Sequence, residues 1–383
     1  MMYFVPSWYH ENEYKENEQY WYRRRTVTEF DDSVKQVQMF NRNNIMDYKI
    51  LNLSYCPNFR HFLHRQSVFH APYWSCFDAI QEIRRTKVDI LSYRDLMWPD
   101  YTEFVYTPFC IVAYVRNEKY AEIHFGEDGN MIEVFLFQSE IMVRKNVYDD
   151  RGFLSSTIVY ENNQPVYEQY LDGKGNWKIC HFFEDGHIEV NPDNPFYLIN
   201  NKRYEFNGLS YGSMESLIEE VFSTYLDEMT DSTDIFCLAM HTLHHDLLES
   251  LFSNRKTILS FYQNRMELFE DAELKSLIRS TNYCIVDSKH KIRPLERYAE
   301  KTLPIVDITP FDTRVDFGIS QQLTVQNILV PIDSIEQSKL EALIVLFAKY
   351  FETNETARVH FFTRNANWDR VDSVLSFVRD VLK

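Results

Sequence analysis

Glycine is nearly missing from this sequence. The 383 residues contain nine, about 2% where roughly 7% is usual. None lies in 1–125, eight lie in 126–212, and only Gly318 follows. A phosphate-binding loop needs glycines where the backbone closes on its ligand. An N-terminal dinucleotide fingerprint, a Walker-type loop and a kinase glycine loop are therefore excluded. Close cysteine pairs are missing too. Cys56, Cys76, Cys110, Cys180, Cys237 and Cys284 offer no CxxC and no zinc-ribbon spacing. The net charge of −17 opposes any broad contact with nucleic acid. No apolar run approaches the roughly 18 residues of a membrane span; the longest, 342–348, has seven residues. The start, MMYFVPSWYHENEYKEN, has neither the basic end nor the apolar stretch of a signal peptide. These features predict a cytoplasmic protein with reduced thiols.

Aromatic residues are what the chain has in excess. Six Trp, 25 Tyr and 29 Phe make 16% of it, and 45% is hydrophobic. That is enough apolar mass for a large core, and it excludes global disorder. The acidity is uneven: 1–110 is nearly balanced, with 13 basic and 14 acidic side chains, and the excess lies beyond it. Within that balanced part, Arg23, Arg24 and Arg25 stand beside Trp21 and Tyr22, and Arg84 and Arg85 stand near Lys87. Such a cluster is either a solvated helix face or a contact for anionic phospholipid.

Residues 2–8 read as a short buried strand that Pro6 ends or bends. Asp31 or Asp32 caps a helix carrying Val34, Val37 and Met39-Phe40. A strand at 48–54 and a helix at 74–86 complete a strand-helix alternation, the grammar of a parallel sheet. From 103 to 192 the pattern becomes alternating strands split by turn residues, including Asn162-Asn163, Asp172-Gly173 and Asp185-Gly186. That is a β-meander. Helical grammar returns with an amphipathic helix at 213–228, Ser213 its cap. Strands follow at 234–240, 256–262, 283–287 and 304–309. A further β-α-β-α unit spans 327–382.

Gly208-Leu209-Ser210-Tyr211-Gly212 fits G-x-S-x-G, which in hydrolases holds a nucleophilic serine on a strained turn. The preceding 202–207 is too polar for the buried strand such an elbow needs, so a glycine-bounded turn is the better reading. His241, His244 and His245 form H-x-x-H-H on a predicted helix, with His241 and His245 on one face. The glutamate of H-E-x-x-H is replaced by Thr242, which favours surface or helix-start histidines over a metal site. The acidic pairs at 31–32, 149–150 and 184–185 fit caps and turns. The meander's aromatics serve either cross-strand packing or ligand contact.

Taken together, the runs YFVPSWY at 3–9, FDD at 30–32, DDRGF at 149–153, YEQYL at 167–171, RVDFGISQ at 314–321 and ILVPID at 328–333 resemble the first accessory secretory protein family of the Gram-positive accessory Sec system. The resemblance runs over essentially the whole chain. It implies a mixed α/β fold: a GT-B-like Rossmann-type domain with an inserted antiparallel β-meander extension, then the start of a second Rossmann-like domain. The divisions expected are 1–102 and 193–318 for the first domain, 103–192 for the extension and 319–383 for the second domain. Family members usually continue past this endpoint, so the second domain reads as incomplete.

The implied function is a non-enzymatic part of the export machinery for glycosylated serine-rich-repeat adhesins, with no catalytic residue, cofactor or metal. The implied partners are two companion accessory proteins, an accessory SecA-type motor and the adhesin, with an anionic membrane surface as a further contact. Tyr148, Arg151, Tyr160, Tyr167 and Tyr170 of the extension are the candidate partner-binding residues, and Arg23, Arg24 and Arg25 the candidate lipid contacts. The alternatives are an active GT-B glycosyltransferase and a hydrolase acting through Ser210.

Overall fold

A computed structural model describes residues 1–10, 13–16, 31–84, 87–126, 128–299, 303–309, 325–333, 335–363 and 368–381. The chain divides into two compact units, Met1–Phe311 and Asp312–Lys383.

The first unit opens with β1 (Met2–Val5), helix α1 (Asp32–Arg42), β2 (Tyr48–Asn52), α2 (Phe59–Arg65), β3 (Tyr73–Ser75) and α3 (Cys76–Ile80). Asp31 caps α1, accepting from the backbone N–H groups of Ser33 and Val34. Val34 and Val37 face inward at a spacing of three. The expected helix 74–86 is cut to five residues because Glu82, just beyond the C-cap Gln81, takes φ 53° and ends it.

The chain then makes nine strands: β4 (Thr102–Tyr106), β5 (Ile111–Val115), β6 (Glu118–Phe125), β7 (Met131–Gln138), β8 (Ile141–Asp149), β9 (Phe153–Glu161), β10 (Gln164–Leu171), β11 (Trp177–Phe182) and β12 (Ile188–Val190). A hairpin, β13 (Phe196–Ile199) with β14 (Lys202–Glu205), precedes β15 (Ser210–Tyr211), which returns to pair with β12. The ten-stranded antiparallel sheet thus runs β15, β12, then β11 in descending order to β4. Nine of its strands run from Thr102 to Val190, where 103–192 is the expected range of the extension, and β15 joins them from beyond that range.

Helix α4 (Met214–Met229), β16 (Ile235–Ala239), α5 (His245–Leu251), β17 (Lys256–Phe261), α6 (Asp271–Ser280), β18 (Tyr283–Val286), α7 (Ile292–Glu296) and β19 (Ile305–Asp307) complete the unit. Its parallel sheet has the order β19-β18-β17-β16-β1-β2-β3. Strand order reverses between β1 and β16, and α/β proteins bind ligands at the carboxyl ends of the strands flanking such a point. One large apolar cluster combines Val5, Phe236, Leu259 and the α4 residues Leu217, Val221 and Phe222 with Tyr170, Ile179 and Ile188 of the extension. The extension is therefore rooted in the main core. Its far half has its own cluster, including Ile111, Ala121, Ile123 and Val134.

In the second unit, β20 (Gln326–Pro331) and β21 (Ala357–Phe362) pair in parallel, joined by α8 (Gln337–Phe351) and followed by α9 (Trp368–Val381). Val330, Ile332, Leu340, Ile344 and Val374 form its core.

Candidate functional site: a filled crevice and an anchored extension

The crevice between β1 and β16 is occupied by the protein's own side chains. The Tyr9 hydroxyl lies 2.7 Å from Nε2 of His244, whose Nδ1 lies 2.7 Å from the carbonyl of Ala239 at the end of β16. Tyr14 meets Tyr9 edge-on at 5.4 Å and donates to the Leu243 carbonyl. Burial, helped by the nearby His241, pushes His244 down to about 3, so its ring is neutral near pH 7. The three histidines stand at a helix start, one of the two placements expected: a short 3-10 turn, Thr242–His244, capped by His241, runs directly into α5 at His245. His244 is fully buried rather than exposed. Among the described residues, no group of His, Cys, Asp and Glu has the arrangement of a metal site.

The N-terminus of α1, which in nucleotide-binding α/β folds faces a phosphate, is filled as well. Asp31 and Asp32 sit there, and Arg265 donates to Asp32 Oδ1 at 2.7 Å and to Asp31 Oδ2 at 3.0 Å. Trp8 Nε1 donates to Asp31 Oδ1 at 3.0 Å, and Ser260 Oγ donates to Asp32 Oδ2. Burial and the adjacent Asp32 charge push Asp31 up to about 6, against the pull of Arg265. The pair sequence reasoning assigned to a cap is also an ion-pair plug; the missing signal was Arg265, more than 230 residues away.

A cavity of about 270 Å³ remains between the crevice and the extension, lined by Tyr14, Lys15, Phe77, Tyr170, His181 and Glu215 among others. That lies just below the roughly 300–1,000 Å³ of small-molecule sites.

The extension is held by charges buried at its root. Arg151 Nη1 and Nη2 donate to Asp78 on α3 at 2.9 and 2.7 Å, and Nε and Nη2 donate to Asp149 at 2.7 Å each. Gly152, at φ +85°, turns the chain here. A Cβ on it would lie 1.7 Å from the Asp89 carbonyl oxygen, so no other residue fits. Gln81, buried after α3, donates to the carbonyls of Ser155 and Leu171 at 2.9 and 2.6 Å. Fully buried Lys178 donates to Glu82 at 2.8 Å and to the carbonyls of Asn194 and Phe196. Glu168 meets Lys15 Nζ at 2.9 Å and accepts from Ser156 Oγ at 2.7 Å. Burial alone would raise Glu168, yet the charge and hydrogen bond of Lys15 hold it below the usual carboxylate range.

The five candidate partner residues therefore separate. Tyr170 is buried against Phe77 and Tyr55. Tyr148 is buried in the distal cluster, and Arg151 is engaged on both sides. Position within the meander pattern does not distinguish these three anchors from surface residues. Only Tyr160 and Tyr167 are half-buried. Tyr160 lines a broad trough of about 1080 Å³ with Arg116, Lys119, Phe137 and Arg144. Tyr167 packs on Phe182 at 5.8 Å. Ser210 lies within β15, opposite Glu189, and not on a strand-to-helix turn. Arg23, Arg24 and Arg25 lie outside the described residues.

The chain matches the family described as accessory Sec system protein Asp-one over residues 1–383. It belongs to that family. A relative from Streptococcus gordonii is 33% identical over 345 residues, 88% of this chain and 63% of its own length. One from Staphylococcus aureus is 29% identical over 374 residues, 96% of this chain and 70% of its own length. The chain thus spans about two thirds of those relatives. Among solved structures it is similar to the complex of accessory secretory proteins 1, 2 and 3 of Streptococcus pneumoniae, with TM-score 0.83, 28% identity and coverage of 100% of this chain and 76% of that one. The pneumococcal O-GlcNAc transferase GtfA, at TM-score 0.67 and 9% identity, covers 99% of this chain and 74% of its own. That likeness establishes the expected GT-B-like fold. No helix among the described residues is long and apolar enough to cross a membrane.

Proposed function

We propose that this chain is a non-enzymatic adaptor of the accessory Sec export machinery. In this reading it works at the cytoplasmic side, in a complex with two companion accessory proteins that supports export of glycosylated serine-rich-repeat adhesins by a SecA-type motor. The observation that carries the reading is the filling of the first domain's ligand positions by internal side chains. Tyr9 and His244 fill the strand crevice, and Asp31, Asp32 and Arg265 fill the α1 N-terminus. An enzyme keeps such positions open to its substrate. The extension is built the opposite way: a rigid root carries an accessible outer half, as a docking arm requires. The similarity to a solved complex of three accessory secretory proteins supports the same reading.

In this function Tyr160 and Tyr167 are partner contacts, while Tyr148, Arg151 and Tyr170 stabilise the arm and touch no partner. Arg23, Arg24 and Arg25 provide contact with anionic lipid. Two measurements test the adaptor reading. The protein mixed with its two purified companions is expected to elute as one complex. With UDP-N-acetylglucosamine and an adhesin peptide it is expected to show no sugar transfer. Transfer at rates typical of enzymes, or failure to join the companions, overturns the reading.

A further inference from the structure

The ten-stranded sheet ends differently at its two edges. β15 is only two residues long, and α4 begins three residues beyond it. A short edge beside a helix is a common protection against pairing with other chains. β4 has five residues, pairs with β5 without any register shift, and contains neither proline nor lysine. It is a long, regular edge with little to block it.

The ladder fixes which backbone groups of β4 are open. The Thr107 N–H donates to the Cys110 carbonyl at 3.0 Å, and residue pairing continues from Tyr106 with Ile111 to Thr102 with Val115. In an antiparallel ladder, hydrogen-bonded and non-bonded pairs alternate. Glu103 and Val105 therefore turn their backbone groups toward β5, and those of Thr102, Phe104 and Tyr106 point outward. Among the described residues, no other backbone group bonds to these three. Two side chains of the strand itself are apolar and uncovered: Val105 is 48% exposed and Tyr106 61%. Phe104 is held from inside by Tyr93 and Trp98, which stiffens the strand.

We propose that β4 is a docking edge that accepts an extended strand from a companion protein, continuing the sheet by one strand. Its occupant presents aliphatic side chains at alternate positions and a Lys or Arg opposite the exposed Glu103. Charge selects this partner over a second copy of the chain, whose net charge of −17 repels its like. The nearby Arg94 is turned to the hydroxyls of Tyr93 and Tyr106, leaving Glu103 as the charge presented on the strand. The inference rests on the adaptor reading and assigns its contact surface.

Hydrogen exchange on the full chain, alone and with the two purified companions, tests it. The amides of Phe104 and Tyr106 are expected to exchange at least tenfold more slowly in the complex. Glu103→Lys is expected to weaken assembly about tenfold, by replacing a cross-strand attraction with a repulsion. Tyr106→Pro removes an outward donor without touching the β5 ladder, and is expected to act in the same direction. A complex with unchanged exchange at 102–106 and full affinity for Glu103→Lys overturns the edge proposal alone. Absence of any complex overturns the adaptor reading and the edge with it. Protection of these amides in the concentrated chain alone, with formation of a dimer, shows a second copy as the occupant and overturns the assignment.

Discussion

At the root of the extension, Arg151, Lys178 and Glu168 are enclosed and each meets opposite charge at 2.7–2.9 Å. At its far edge, Glu103, Val105 and Tyr106 face water. The two regions use overlapping residue types for different ends. Burial makes a charge costly unless it is paired, and once paired its position is fixed. The root thus sets where the sheet stands relative to the parallel sheet, while the edge contributes little to stability and is available for contact. A residue's type does not distinguish these roles; its surroundings do.

The largest effect expected is from breaking the root. Arg151→Ala leaves Asp149 buried without its counter-charge, and a cost of about 3–5 kcal/mol is expected in urea unfolding. A cost below ~1 kcal/mol would make the root no stronger than a surface pair.

A smaller effect concerns pH. Burial, and after it the Asp149 charge, push Asp150 at the root up to about 7. Because this is above the unfolded value near 3.9, the native state holds its proton longer. The contribution to stability is complete below about pH 4 and is lost as pH rises through about 7. Asp31, at about 6, acts in the same direction. Asp150→Asn is expected to raise the melting temperature at pH 8, leave it nearly unchanged near pH 3, and so flatten the slope between. An equal shift at both values would remove the titration from the account.

Smallest in stability, and most useful for the comparison, are Tyr160→Ala and Tyr167→Ala. Each is expected to change unfolding free energy by no more than about 0.5–1 kcal/mol while weakening association with the companions. A large loss of stability with intact association would move both tyrosines to the root class.

Much of this architecture was legible in the sequence because it is written in local pattern. Asp31 and Ser213 announce their helices as caps. Alternating strands with Asn162-Asn163 or Gly186 at the turns announce the meander. Two of its hairpins gave no such signal. Their turns are Arg116-Asn117 and Ser139-Glu140, all four at positive φ without glycine. The short β3, α2 and the β13–β14 hairpin were missed because three to seven residues carry too little periodicity. The site was less legible than the fold. Arg265 reaches Asp31 across more than 230 residues, and Arg151 reaches Asp78 across 73. No local spacing encodes such pairs, so buried anchors and half-buried contacts look alike in sequence among the five candidates.

The most direct test of the distinction measures stability and companion affinity together in two variants of the full chain. Arg151→Ala is predicted to lower the melting temperature by several degrees and to leave affinity, measured well below that temperature, within about twofold. Glu103→Lys is predicted to leave the melting temperature unchanged and to weaken affinity about tenfold. If both variants lose stability and affinity in the same proportion, root and edge are not separate in function, and the account is contradicted.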